Sequence, residues 1–365
     1  MRAGIIGCGG IANSKHMPAI KKLGLTDLVA FCDLIEEKAV AAKENFGAED
    51  ALIFTDYKEL LKLDLDAVYV LTQNRAHSYI TVDALNAGKN VLCEKPMAKT
   101  SAEAKKMLDA AQKSGKILTI GYQNRYRADS QTLKRLCEEG ELGQIYFAQA
   151  HALRRRGVPT WGVFTDKSKQ GGGPLIDIGT HSLDLTLWFM DNYEPAAVTG
   201  VTFEKLGKTL QPPVQGNPMG TWDPDTFEVE DAAFAFVTMK DGSLITIDAS
   251  WILNSTEERC AASYLCGTVA GAELTGVGGA NNEKLYLNKI MGGKQVKIEA
   301  NTSVGGVDLF PGKTVQPFDV ECKVWLDAIE GKGELVVKPE QAFTVTKILD
   351  AVYKSAQSGR QIVFE

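Results

Sequence analysis

The chain has 365 residues, with 40 lysines and arginines against 46 aspartates and glutamates, a formal net charge of −6 and an apolar fraction of 44%. That length exceeds one ordinary core and implies two domains, and the charge excludes a general attraction to nucleic acid or to an anionic membrane. No run of about 18 apolar residues occurs that could span a bilayer, and the N-terminus carries no charged-then-apolar leader. The seven cysteines form no C-x-x-C pair and the four histidines are scattered, so no metal site is expected and a reducing, cytoplasmic setting is.

Taken in order, the chain begins with AGIIGCGGIA, Ala3 to Ala12, an apolar run that drops into G-x-G-x-x-A at Gly7, Gly9 and Ala12. Gly7 suits the tight turn off a strand, Gly9 lacks the Cβ that would block a pyrophosphate, and Ala12 lets the next helix close on the sheet. The phosphates then meet main-chain N–H groups at the helix start, from Gly9 and Gly10 to Ile11 and Ala12. A second apolar run, LVAFCD, ends at Asp33, 21 residues beyond Ala12, where a carboxylate accepts hydrogen bonds from the adenosine ribose hydroxyls. A glycine triplet alone is a weak signal; a strand before it, a helix after it and an acidic strand end make it specific.

The alternation continues with IEEKAVAAKENFG as helix, ALIFT as buried strand, DYKELLKL as helix, DAVYVLT as strand, HSYITVDALNAG as helix, NVLCEKP as strand, SAEAKKMLDAAQKSG as helix and KILTIGY as strand. Residues 1–121 therefore read as a doubly wound parallel sheet with a dinucleotide crevice at its carboxyl edge. The rhythm changes in 122–365. After the helix-like SQTLKRLCEEGELG come the strand-like runs IYFAQAHAL, AAVTGVTFEK, DAAFAFVTMK, SLITIDASWI and CAASYLCG, with a hairpin turn at Asp241-Gly242. Helices are expected after Gly171-Gly172-Gly173-Pro174 and near DVECKVWLDAIEG and PEQAFTVTKILDAVYKSAQSG, and the proline-rich stretch from Gly207 to Asp225 reads as a long loop. The expected class is α/β: an N-terminal Rossmann doubly wound parallel sheet, plus a C-terminal α+β domain with a large, open, mostly antiparallel sheet.

Two constellations carry chemistry. Glu94-Lys95-Pro96 stands at the carboxyl end of the fifth strand, where a lysine can donate to a substrate oxygen and stabilise developing charge. In GGGPLIDIGTHSLDLTLWF, a helix from Asp177 onward puts Asp177 and His181 on one face with Asp184 a turn further on. An imidazole there is suited to take a hydroxyl proton, and the carboxylate one turn away orients it. The three glycines beside them leave the backbone bare for a ligand or for a close-packed neighbour.

Together these segments resemble the Gfo/Idh/MocA oxidoreductases, sugar and cyclitol dehydrogenases with a nicotinamide cofactor. The resemblance covers nearly the whole chain and is carried by GIIGCGGIA, the Asp33 strand end, LTQNRAH, EKP, GYQNRY and GGGPLIDIGTHSLDL. It implies Lys95, Asp177 and His181 as the catalytic set, and Thr72, Asn74, His77, Glu94 and Gln123 as cofactor contacts. It further implies Trp161 as an aromatic near the nicotinamide, with Arg125, Tyr126 and Arg156 touching substrate. Family members often carry proline where this chain has Gln73. Asp33 is followed by Leu34 and Ile35 rather than an arginine, which favours NAD over NADP because the carboxylate repels a 2′-phosphate. By similarity the substrate is a pyranose ring hydroxyl of a sugar or glycoside, with C3 a candidate position. A glycoside hydrolase acting through transient oxidation is the rival reading; a non-catalytic dinucleotide or sugar sensor is disfavoured because a binder needs no base. An open sheet with an uncovered apolar face implies a homo-oligomer, a dimer or tetramer by similarity.

Overall fold

The computed structural model describes residues 1–276, 284–300 and 316–365. The chain divides into two compact units, Met1–Tyr126 with Lys313–Phe343, and Arg127–Gly312 with Thr344–Glu365. The expectation put the boundary at residue 121, and the first unit's N-terminal part runs to Tyr126. The C-terminal residues expected wholly in the second domain are instead shared.

The first unit alternates β1 (Arg2–Ile6), α1 (Met17–Leu23), β2 (Asp27–Cys32), α2 (Glu36–Phe46), β3 (Leu52–Phe54), α3 (Tyr57–Leu61), β4 (Ala67–Val70), α4 (Asn74–Asn86), β5 (Asn90–Glu94), α5 (Ser101–Ser114) and β6 (Leu118–Gly121). All its strands pair in parallel, in the order β3-β2-β1-β4-β5-β6. The order reverses at β1, which puts the ligand crevice beyond the carboxyl ends of β1 and β4. Local chemistry sets the boundaries: Thr100 caps α5 by accepting from the Glu103 N–H, and Gly115 ends that helix in the left-handed region at φ 66°. β3 is an edge strand with Leu52 exposed, not the buried strand its apolar run suggested.

The second unit contains α6 (Ala128–Glu138), β7 (Ile145–Leu153), α7 (Lys167–Gln170), α8 (Thr180–Met190), β8 (Pro195–Phe203), β9 (Ala232–Met239), β10 (Leu244–Ser250), β11 (Arg259–Gly267), β12 (Ala270–Leu274), β13 (Leu285–Met291) and β14 (Lys294–Ala300). Then follow α9 (Pro317–Ile329), which belongs to the first unit, α10 (Pro339–Ser358) and β15 (Ile362–Val363). The sheet order is β14-β13-β12-β11-β7-β10-β9-β8-β15, antiparallel except where β7 meets β10. Small residues line one face: Ala148, Ala150, Ala152, Ala249 and Ala235 are all buried. Helix α8 lies on that face, with Thr186 Oγ1 2.9 Å from Ser263 Oγ of β11. All of α8 but Met190 is buried, its polar residues Thr180, His181, Ser182, Asp184 and Thr186 included. On the other face Phe236 is 59% exposed. The turn between β9 and β10 falls at Asp241-Gly242, with Gly242 at φ 87°.

The 207–225 stretch is irregular but tied down. Asp231 Oδ2 accepts the N–H groups of Lys205, Leu206 and Gly207 at 2.6–2.8 Å, and the Trp222 indole N–H donates to the Gly207 carbonyl at 2.7 Å. In the first unit, α9 completes the core by burying Trp325 and Leu326 with Ile5, Phe31 and Leu92. Its Trp325 stands edge-on to Tyr69 with ring centres 4.8 Å apart.

Candidate active site

The glycine turn does what its spacing requires. Gly7 has φ +96°, and a Cβ there would lie 2.6 Å from the Leu71 carbonyl oxygen, so only glycine fits. Gly9 and Gly10 are different: no atom lies within 4 Å of where their Cβ would stand. Ile11 is exposed and Ala12 fully buried. The helix after the turn opens as a π-helical segment, Ala12–His16, before α1. Asp33, beyond β2, accepts the Cys8 N–H on Oδ2 at 2.9 Å and the Ile35 N–H on Oδ1 at 3.0 Å. The carboxylate is thus fixed beside the turn with lone pairs left for further donors.

The next strand ends supply Thr72, Asn74, Glu94, Lys95 and Gln123. Gln73 has φ −71° and ψ 151°, the conformation a proline would impose, so its substitution leaves the chain path as expected. Gln123 Oε1 is buried and has no partner among the described residues. An open glycine cradle, an anchored acidic strand end and this orphaned amide oxygen together fit a dinucleotide.

His77, expected at the cofactor, is fully buried, with Nδ1 2.7 Å from the Pro96 carbonyl oxygen and Nε2 3.0 Å from that of Thr72. Burial lowers its pKa, against the pull of the two carbonyls; it ties together the segments that follow β4 and β5 and exposes no ring atom to a ligand. Glu94 is 6% exposed: Oε1 lies 2.7 Å from His16 Nε2, and Oε2 accepts the Lys95 main-chain N–H at 3.0 Å. Sequence reasoning missed His16, 78 residues from its partner. Arg125, expected to touch substrate, points inward instead: it has no exposed surface, and Nη1 donates to the Val336 carbonyl and to Gln341 Oε1. Tyr126 beside it is also buried.

In the second unit Asp177 lies in a π-helical turn, Leu175–Gly179, and His181 in the first turn of α8. The four-residue spacing therefore crosses the junction of the two, rather than lying within one α-helix. Both side chains are buried, as is Asp184, and Asp177 Oδ2 accepts the Trp251 indole N–H at 3.2 Å. Trp251, Phe164 and Trp161 form an aromatic ladder with successive ring centres 6.4 and 6.1 Å apart, and Trp161 is 57% exposed at its outer end.

Two groups near Asp177 were not foreseen. Glu230 accepts the Gly173 and Leu175 N–H groups and the Tyr353 hydroxyl at 2.8–3.3 Å, which anchors the turn before Asp177; burial raises its pKa. Cys260 is the second. Burial pushes its thiol up while the neighbouring Arg154, which hydrogen-bonds it, opposes, and it feels the Asp177 charge. Arg156 is turned to Asn254 Oδ1 at 2.8 Å and to a concavity of about 800 Å³ that His151 and Tyr264 line. Among the described residues no group of three metal-ligating side chains occurs, and no helix is long and apolar enough to cross a membrane.

A family model for oxidoreductases with an NAD-binding Rossmann fold, GFO_IDH_MocA, matches residues 1–122, and the GFO/IDH/MocA C-terminal domain matches 130–270. D-glucoside 3-dehydrogenase of Escherichia coli K12 is 33% identical over 363 residues, 99% of this chain and 97% of that protein. Inositol 2-dehydrogenase of Salmonella typhimurium is 30% identical over 216 residues, 58% of this chain and 62% of that one. Among solved structures, the aldose-aldose oxidoreductase of Caulobacter crescentus in complex with glycerol has the same fold, with a TM-score of 0.78 at 24% identity over 100% of this chain and 99% of that one.

Proposed function

Because the chain belongs to the Gfo/Idh/MocA oxidoreductase family, with its NAD-binding Rossmann fold and its C-terminal domain, we propose that it oxidises a secondary ring hydroxyl of a sugar or glycoside, C3 of a glucoside first among them, and transfers the hydride to NAD. The observation that carries this reading is the end-to-end likeness to a glucoside 3-dehydrogenase.

The open turn at Gly9 and Gly10 takes the pyrophosphate, Asp33 the adenosine ribose, and Thr72, Asn74, Gln123 and Trp161 the nicotinamide end. The oxidised nicotinamide, when bound, accepts the carbinol hydride with its electron pair. His181 takes the hydroxyl proton, a task for which an imidazole is suited. Asp177, held by the Trp251 indole N–H, orients that ring and stabilises its charged form. Lys95 donates to the same substrate oxygen and offsets the charge that builds on it. The C–H and O–H bonds break, a C=O bond forms, and the product is a keto sugar. Asp33, with no arginine after it, selects NAD over NADP. The exposed apolar face around Phe236 is assigned to contact between copies in a homo-oligomer, and the seven unpaired cysteines fit a reducing, cytoplasmic compartment.

The test incubates the protein with NAD and a panel of sugars, methyl glycosides and cyclitols, following NADH absorbance and product mass. The expected result is stoichiometric NADH and a product lighter by two hydrogens. Release of free sugar from a glycoside without net NADH identifies the hydrolase instead. Lys95→Ala and His181→Ala should each lower turnover about 10²–10⁴-fold while NADH binding persists, and near-full turnover in both refutes the assignment.

A further inference from the structure

Behind Lys95 the first unit encloses titratable groups that the reaction above leaves unused. His16 is 2% exposed, with Phe318 edge-on to its ring at 5.2 Å between centres and Tyr69 at 6.1 Å. The imidazole is thereby held on Glu94 Oε1, while Glu94 Oε2 takes the Lys95 main-chain N–H. Glu321, on α9 one turn beyond Phe318, is 1% exposed, and neither of its carboxyl oxygens has a partner among the described residues. An ionised carboxylate without donors is not sustained in such a place. Burial first, and then the charge of Glu94, push its pKa well above the ordinary carboxylate value and so favour the protonated form.

We propose that His16 and Glu321 are positioning residues for Lys95: His16 pins the Glu94 carboxylate against the Lys95 amide, and Glu321, as a neutral acid, sets no second charge against that carboxylate. The proposal rests on the role assigned to Lys95 above. The charged and titratable groups facing Glu321 and its neighbours come from every packed element. They are Glu94 and Lys95 at the end of β5, His16 in the π-helical segment with Lys15 over Phe318, and Tyr69 on β4. From the segment after β6 comes Arg125, engaged by Val336 and Gln341, and on α9 itself stand Cys322 and Asp319, the latter paired with Lys22 of α1. Of these, Glu94 is the anion that Glu321 would confront on losing its proton. Raising the pH until it does so puts two carboxylates together and displaces the Lys95 backbone, so turnover falls on the alkaline side.

The experiment measures kcat and KM against pH for the native protein, His16→Ala, His16→Gln and Glu321→Gln, with Lys95→Ala as reference and NADH binding by fluorescence as the check on folding. His16→Ala should lower kcat about 10- to 100-fold, the scale of a misplaced catalytic group, with little change in the sugar KM. His16→Gln, whose amide N–H stands where Nε2–H was, should restore most of it. Glu321→Gln should move the alkaline limb to higher pH. Native kcat in His16→Ala, or an unmoved limb in Glu321→Gln, while Lys95→Ala is inactive, overturns this inference alone. An active Lys95→Ala overturns the reading beneath it. Should His16→Ala not fold, the Glu321→Gln profile decides.

Discussion

The chain has two glycine clusters that look alike on paper and are used in opposite ways. At Gly9 and Gly10 nothing stands within 4 Å of the missing side chains: the backbone has been left bare and its surroundings are vacant. At Gly172 and Gly173 the space is already taken. A Cβ on Gly173 would lie 2.1 Å from the Glu230 carbonyl oxygen, and one on Gly172 would lie 2.1 Å from the Tyr353 hydroxyl. The first cluster keeps room for a ligand. The second lets the buried Glu230 and the half-buried Tyr353 approach closely enough to hold the turn that leads to Asp177 and His181. Absence of a side chain therefore marks close approach, and only the neighbours decide whether a protein group or a ligand does the approaching.

Alanine substitutions separate the two uses. Gly173→Ala should be the most damaging, about 3–5 kcal/mol of lost stability by thermal or urea unfolding, because the obstacle is main chain and cannot step aside. Gly7→Ala should follow, since it meets the Leu71 carbonyl and a positive φ together. Gly172→Ala should cost less, the tyrosine hydroxyl being the far end of a side chain. Gly9→Ala should leave the melting temperature within about 2 °C, the shift of well under 1 kcal/mol for a domain of this size, yet weaken NAD binding about tenfold or more, 1.4 kcal/mol. A Gly9→Ala protein that melts early but binds NAD normally would erase the contrast.

What the sequence disclosed and what it hid divide along the same line. The strand-turn-helix at Gly7, the acidic end at Asp33 and the alternation through β6 are local patterns, and local patterns are legible. Whether Gly171–Gly173 faced a ligand or a neighbour was not, because the answer sits 57 residues away in Glu230. His16 was unreadable for the same reason. Arg125 shows the converse: a charged residue after a strand end looks like a ligand contact until Val336 and Gln341, more than 200 residues on, are seen to use its guanidinium. Strands β13 and β14 escaped because few of their side chains are buried; the alternation of Val296, Ile298 and Ala300 with polar residues and the Gly292-Gly293 turn before them were the available signals.

Asp33 sharpens the account of the open cluster, since its carboxylate holds the Cys8 amide of the turn and is the group proposed above to take the adenosine ribose. Asp33→Ser should raise the NAD dissociation constant about tenfold and narrow the ratio of NADP to NAD constants, measured by titrating each dinucleotide. Tighter binding of NADP by the native chain would remove Asp33 as the selector.

The smallest effects lie in the pH dependence of stability, and they should have opposite signs for the two clusters. Behind the open turn stands His77, whose pKa burial lowers in the folded state. The unfolded chain binds the proton more readily, so this contribution is intact above the ordinary histidine range near 6.5 and is lost as pH falls from there toward the folded value. Behind the filled turn stands Glu230, whose pKa burial raises. Here the folded chain binds the proton more readily, so stability declines as pH rises from the ordinary glutamate range near 4.3 toward the folded value. Neither slope can exceed about 1.4 kcal/mol per pH unit. Comparing unfolding midpoints of His77→Gln and Glu230→Gln with the native protein from acid to neutral pH should flatten the acid-side loss in the first and the base-side loss in the second. Parallel curves for all three would mean that neither buried group changes its proton affinity on folding.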